Sequence, residues 1–364
     1  MENGSKEKNI NLIRELSNAP GVSGFEDEAL NVIRKYADGL GEWAEDAMRN
    51  LYLHRQPSRE LPRQLPTLLL DAHSDEVGFM IKAIRPNGTM DFIPLGGWVA
   101  SNVGAHRVLV RNNSGVWVPG IVASKPPHFT SEKEKKQFVE LSDMVIDVGA
   151  SSDREVREDY NISIAAPVVP DASFEYQDNN DIMIGKAFDD RLGCAAIIRT
   201  FAELAETGLD VNLTGVFASQ EEIGLRGATA AAKTVKPDIA IAFEGTPADD
   251  TVTESYAVQT ALKKGPMLRH IDSGMLTNPR FQRFAIDAAL KNGVPVQEAV
   301  RTGGSTDAAA IHLAKTAIPV IVIGVPVRYI HTHYGIASYS DFENSVKLAC
   351  AIIRNLNREV IAGF

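Results

Sequence analysis

The sequence predicts an α/β protein, an open and mostly parallel sheet wrapped by helices and interrupted by an inserted β-rich segment. Two patterns and one size argument point there. Continuous apolar runs, TLLLDAH, LTGVFAS, IAIAF and PVIVIGV, read as strands buried on both faces, and they alternate with helical patterns. Between roughly residues 75 and 165 the texture changes to short β-like runs broken by turn signals. A chain of 364 residues is also longer than one hydrophobic core usually serves.

The elements follow in order. From about Glu7 to Ser17, Ile10, Leu12, Ile13 and Leu16 recur at helical spacing. The turn NAPGVSG follows, and Ser23 with Glu26 forms the pattern of a capping box for a helix running towards Tyr36. TLLLDAH, residues 67–73, is the first buried strand. Then come GFMIKAI, MDFIPL, RVLV and VWVPGIVAS, separated by RPNG, GGW and RNNSG, the signature of a small barrel or sandwich. The charged stretch SEKEKKQF reads as a solvated loop or a short exposed helix. Near Pro167 the α/β texture resumes with a helix from about Asp190 to Ala205 and strand LTGVFAS. An Ala-rich helix around 227–233, strand IAIAF, a helix near 279–291, strand PVIVIGV and a helix near 340–355 complete it. Residues 1–74 and 166–364 are expected to form one discontinuous domain, with 75–165 inserted as a second.

Composition narrows the function. With 44% hydrophobic and 23% charged residues the chain is of ordinary soluble type. A net charge of −10 argues against non-specific nucleic-acid binding and against anionic membranes, both of which favour basic surfaces. The longest apolar run, AIPVIVIGVPV, is too short to span a bilayer, and MENGSKEKN has no apolar stretch of a secretory leader, so a cytoplasmic protein is expected. Cys194 and Cys350 lie in apolar helical contexts and read as buried free thiols.

Five possible metal ligands stand just beyond the buried strands or open the following helix: His73, Asp189, Glu222, Glu244 and His331. The carboxyl ends of parallel strands share one edge, where ligands bind, so the fold would gather two imidazoles and three carboxylates. That donor set suits a pair of divalent cations. Asp75 is placed to orient His73 through its second ring nitrogen, its alternative being a turn cap. Asp189 and Asp190 are adjacent at a helix start, where N-capping is the competing role. Glu221 and Glu222, after an apolar strand, would be costly to bury without a cation, and as neighbours on a strand they would point to opposite faces. Their alternative is an exposed acidic pair beside Arg226. Either His331 or His333 serves as ligand, and Thr306 and Asp307 are expected to line the pocket.

DAHSDEVGFM, KAFDDRLGC, SQEEIGLRGA and VPVRYIHTH resemble the corresponding segments of metallopeptidase family 42, the glutamyl and tetrahedral aminopeptidases. SKPPHF, GPMLRHIDSGMLTNP and GGSTDAAAIHLA extend the resemblance over nearly the whole chain. It implies a phosphorylase-like three-layer α/β/α catalytic domain carrying a small barrel-like domain. It implies two divalent metals, zinc or cobalt first and manganese next, with His73 and Glu244 on one, Glu222 and His331 on the other, and Asp189 bridging. Glu221 matches the catalytic base, taking a proton from water and returning it to the departing amine. Many relatives have Asp where this chain has Glu244, and a cis peptide after the bridging aspartate is common. The substrates implied are short peptides with a free N-terminus, and the assembly implied is a dimer through the inserted domain, built into a dodecamer. A hydrolase of other small amides or acyl-amino acids, and an inactive metal-binding assembly protein, are the competing functions.

Overall fold

The computed structural model describes residues 2–55, 65–133, 137, 139–315 and 317–364. Helices α1 (Glu2–Asn18) and α2 (Asp27–Tyr36) precede a hairpin of β1 (Glu42–Glu45) and β2 (Leu51–His54), and β3 (Thr67–His73) follows. Six strands then close a barrel in the order β4-β5-β8-β7-β6-β9: β4 (Gly78–Ile84), β5 (Met90–Leu95), β6 (Arg107–Arg111), β7 (Trp117–Val122), β8 (Ile146–Asp147) and β9 (Pro167–Pro170). Helix α3 (Asp153–Glu158) lies between β8 and β9. Phe79, Ile81, Met90, Val108, Val110 and Val168 fill the barrel with a core of its own. Because β9 pairs with both β4 and β6, the barrel pairing continues past residue 165. Within SEKEKKQF, residues 134–136 and 138 lie outside the described residues.

The rest of the chain completes one large sheet. Its elements are β10 (Glu175–Gln177), β11 (Ile182–Gly185), α4 (Phe188–Glu203), β12 (Asn212–Ala218), α5 (Arg226–Val235) and β13 (Ile239–Pro247). Then come β14 (Met267–Ile271), α6 (Pro279–Lys291), β15 (Gln297–Val300), α7 (Ala308–Ile311), β16 (Val320–Arg328), β17 (Gly335–Ser338), α8 (Tyr339–Ile353) and α9 (Arg358–Ala362). The strand order is β1-β2-β12-β3-β13-β16-β17-β11-β10, with β14 and β15 branching from β16. The four central strands, β12, β3, β13 and β16, are mutually parallel, the pairs flanking them along this path are antiparallel, and the branching β14 and β15 run parallel to each other, which makes a mixed sheet. Side-chain alternation explains why these strands are apolar throughout. Leu68, Leu70, Phe217, Ile241 and Ile323 pack in one core with residues of α1, α2, α4, α6 and α8. Leu69, Val216, Ala240 and Val322 pack on the other face with α5 and α7. Cys194 and Cys350 are buried and free.

Two local expectations are corrected. Glu26 precedes α2 without a capping hydrogen bond, because Ser23 and Glu26 spend their side chains elsewhere, as described below. Glu244 does not end its strand: β13 stays paired with β16 as far as Pro247, so the glutamate projects from within the sheet.

Candidate active site

The parallel register brings the acidic segments to one edge. His73 is the last residue of β3 and pairs in register with Ala218, the last residue of β12. Glu221 and Glu222 follow β12 in a turn rather than on the strand, so strand alternation does not separate them. What fixes both is Asp75. Its Oδ1 accepts the Glu221 amide (3.0 Å) and its Oδ2 accepts the Glu222 amide (3.2 Å) and the Ser23 hydroxyl (2.5 Å). Glu26 holds the residue before them, its Oε1 accepting from the amides of Gly24 (2.7 Å) and Gln220 (3.2 Å). The PGVSGFE loop is therefore a clasp over the glutamate turn.

Asp189 opens α4, joined to Asp190 by a cis peptide bond. The two carboxylates divide the roles that adjacency left open. Asp190 turns into its own helix, where Oδ1 accepts the Gly193 amide (2.9 Å), the capping role. Asp189 faces the imidazoles: Oδ1 lies 3.1 Å from His73 Nε2 and Oδ2 lies 3.2 Å from His331 Nε2. Each imidazole is turned by its other nitrogen. His73 Nδ1 is 3.1 Å from the Asp75 carbonyl and 3.4 Å from its carboxylate, and His331 Nδ1 is 2.9 Å from the Gly97 carbonyl. Both Nε2 atoms thereby point at Asp189. His333 is buried between Trp98 and His106, away from these carboxylates.

Potential ligand atoms form three close groups among the described residues, each within 4.8 Å: His73 with Asp189 and Glu244, Asp189 with Glu222 and His331, and His73 with Glu221 and Glu222. The first two share Asp189. All five residues singled out as ligands are thus brought together, with Glu221 beside them at 3.9 Å from His73 Nε2. Asp307, next to Thr306, lies close enough for its charge to act on Glu221. Both are buried, and Asp307 faces Asp71, two residues before His73. Burial raises the Asp71 carboxyl to about 7, and burial with the charge of Asp71 raises Asp307 well above the usual carboxylate range.

Burial sets the charges of the site. Burial pushes Glu221 up to about 8, and burial with the charge of Asp189 pushes Glu222 and Glu244 well above the usual carboxylate range. Burial opposes ionisation of Asp189 too, but the hydrogen bonds from His331 and His73 take it below that range. Burial works against a charged His73 and His331, yet the carboxylates around them hold both above the usual imidazole range, His331 at about 9. Glu222 Oε1 is buried with no hydrogen-bond partner. Such a crowd of buried carboxylates with an orphaned oxygen and two inward imidazole nitrogens is positioned to bind metal, and the oxygen and nitrogen donors fit that role. Glu221 and Glu222 are not the exposed pair that was the alternative reading, their side chains being 10% and 3% exposed.

A sheet whose switch edge carries this cluster defines a hydrolase of the metallopeptidase type, and comparison with known proteins agrees. The family model for M42 glutamyl aminopeptidase matches residues 59–348. The glutamyl aminopeptidase of Lactococcus lactis is 32% identical over 352 residues, covering 96% of this chain and 97% of that protein. The structure of a TET aminopeptidase from a marine-sediment archaeon of the Thaumarchaeota superposes with a TM-score of 0.92 at 35% identity, covering 98% of this chain and 99% of that one. A TET1 peptidase from Pyrococcus horikoshii, described as assembling into a tetrahedron or a large octahedral shell, gives 0.85 at 28% identity, over 96% and 100% of the two chains. This chain belongs to the M42 glutamyl aminopeptidase family. It is a peptide-bond hydrolase. No helix among the described residues is long and apolar enough to cross a membrane.

Sequence patterns give no sign of the site roles of Ser23, Glu26, Gly97 and His106. Only the glycines in PGVSG and LGGW hint at backbone approaching something closely.

Proposed function

We propose that the chain is an aminopeptidase that removes N-terminal residues from short peptides using two divalent cations. His73 and Glu244 would hold one, Glu222 and His331 the other, with Asp189 between them. The observation that carries this reading is the two-sided use of Asp189, one oxygen towards each imidazole. When bound, the cations supply Lewis acidity and make a water nucleophilic near neutral pH. Zinc or cobalt fits the mixed nitrogen and oxygen donors best, with manganese also possible by donor type.

This chain's residues would do the rest. Glu221 is grouped with His73 and Glu222 but stands outside the two groups that share Asp189, and its elevated proton affinity suits a group that takes a proton and gives it back. It would accept the proton of the attacking water and deliver it to the departing amine. Asp75 would act on both sides of the reaction centre, turning His73 and holding the backbone of Glu221 and Glu222. The surplus of carboxylates favours the ammonium of a free N-terminus over a blocked one.

The catalytic unit would comprise residues 1–74 and 166–364. The 75–165 region would mediate dimerisation, and dimers would assemble into a dodecamer, a reading supported by the shells of the horikoshii relative. A cytoplasmic location fits short-peptide substrates.

The test is release of N-terminal residues from matched free and N-acetylated peptides by metal-reloaded protein, wild type beside Glu221→Gln. Metal-dependent cleavage of free peptides, lost in Glu221→Gln with metal still bound, is expected. Preference for blocked peptides would transfer the function to another amide hydrolase. Metal binding with no cleavage of either set would leave an inactive assembly protein.

A further inference from the structure

The two imidazoles are held in different ways. His73 ends a buried central strand and is 1% exposed. His331 lies in the loop between β16 and β17, with a left-handed backbone (φ 57°) and 36% of its side chain exposed. Apart from Asp189 and Glu222, its ring meets the Gly97 carbonyl, which comes from the barrel. The fit there is close. A Cβ on Gly97 would sit 3.2 Å from His331 Nδ1, and one on Gly96 would sit 2.9 Å from Glu222 Oε2. The barrel loop therefore abuts both side chains that complete one group around Asp189.

Two residues beyond His331 the same loop is gripped a second time. His333 is 1% exposed, and its close contacts are to aromatic rings. It is used as a flat ring. It stacks on His106 at 4.2 Å between centroids and 20° between planes, and its centroid is 5.3 Å from that of Trp98. Trp98 stacks on Phe79 of the barrel core at 4.7 Å and donates its indole N–H to the Gly78 carbonyl (3.1 Å). An aromatic column thus runs from the barrel core to the loop that carries His331.

Resting on the two-cation reading above, we propose that the barrel loop is a positioning element for one cation site only. The Gly97 carbonyl and the Trp98–His333–His106 stack set His331, so the site of His331 and Glu222 depends on the barrel. The site of His73 and Glu244, built on β3 and β13, does not. Trp98 and His106 are positioning residues, acting through His333 and His331 and touching neither cation nor substrate.

The test counts cations rather than turnover. Full-length protein is stripped and titrated with Co²⁺, reading visible absorption, with zinc per chain measured by elemental analysis after dialysis. Wild type should take two equivalents, and His331→Ala one. His106→Ala and His333→Ala should bind the first equivalent as wild type does and the second about 10–100-fold more weakly, the usual loss when an outer partner of a ligand is removed. His333→Phe keeps a flat ring and should recover the second equivalent. If His333→Ala does not fold, the half-buried His106→Ala decides, with circular dichroism confirming its fold. Wild-type affinity for both equivalents in the alanine variants, or equal weakening of both, would overturn the proposal while the two-cation reading stands. A wild type that takes fewer than two equivalents would remove that reading, and the proposal with it.

Discussion

Replacing Asp75 by Asn keeps the size and shape of a fully buried side chain and changes one atom's chemistry. The carboxylate accepts the Glu221 amide on Oδ1, and the Glu222 amide and Ser23 hydroxyl on Oδ2. An amide has a single acceptor. If its NH₂ takes the Oδ2 place, it faces the Glu222 N–H, although the Ser23 hydroxyl can rotate to accept. If it takes the Oδ1 place, it faces the Glu221 N–H. Either orientation leaves one buried backbone donor without the bond to a charged acceptor, a loss of about 1.5–3 kcal/mol. The glutamate turn should loosen, and His73 should lose its carboxylate neighbour, weakening cation binding about 10–100-fold. Thermal melting of metal-stripped protein reads the first effect and equilibrium dialysis against zinc the second. A variant with the wild-type melting temperature and zinc affinity would refute the claim that the Asp75 charge holds this turn.

Glu26 gives a pH prediction. Burial, with the charge of Asp75, raises its carboxyl to about 7, so the folded protein binds a proton there that the unfolded chain releases near pH 4.5. Its contribution is full below about pH 4.5 and is lost as pH rises through about 7, and Glu26→Gln should flatten this slope by about 2–3 kcal/mol, seen as a smaller difference between melts at pH 5 and pH 8. Arg191, 1% exposed, donates to the carbonyls of Leu16, Ala19 and Gly21. Arg191→Ala strands those oxygens beside a cavity and should cost about 3–5 kcal/mol, measurable by denaturant unfolding of the metal-stripped protein; an unchanged midpoint would contradict the assignment. Glu244→Asp shortens an arm whose backbone is fixed by pairing to Gly324, so it should lower affinity for the cation shared with His73 and spare the other, as resolved by stepwise Co²⁺ titration.

The parts of the fold written in local pattern were legible. Apolar runs marked β3, β12, β13 and β16, because strands covered on both faces leave little room for polar residues. The ligand candidates followed from the ends of those runs, as His73 at the end of β3 illustrates. What was not legible depends on hydrogen bonds between distant segments. Ser23 looks like a helix cap because its sequence neighbours supply that pattern, yet its hydroxyl is claimed by Asp75, which no periodicity reports. His333 could not be separated from His331 by sequence. The distinction arises because the barrel offers a carbonyl to one ring and an aromatic face to the other. The sequence puts Glu244 at the end of its strand, since an apolar run shows where apolar side chains end, whereas burial and strand pairing both continue past the glutamate.

The chain leaves the sheet after His73 and, by way of the barrel, rejoins it at β10, and the barrel's first and last strands pair with each other, Phe79 opposite Val168. By path alone the barrel is an excursion whose stems nearly meet, so a short bridge in its place would leave the sheet's connectivity intact. Such an excision would also remove the carbonyl of Gly97 and the rings beneath His333. A minimised version of this enzyme made by cutting there should keep its sheet yet lose one wall of its reaction chamber, so in this molecule modularity of the chain and autonomy of the chemistry part company.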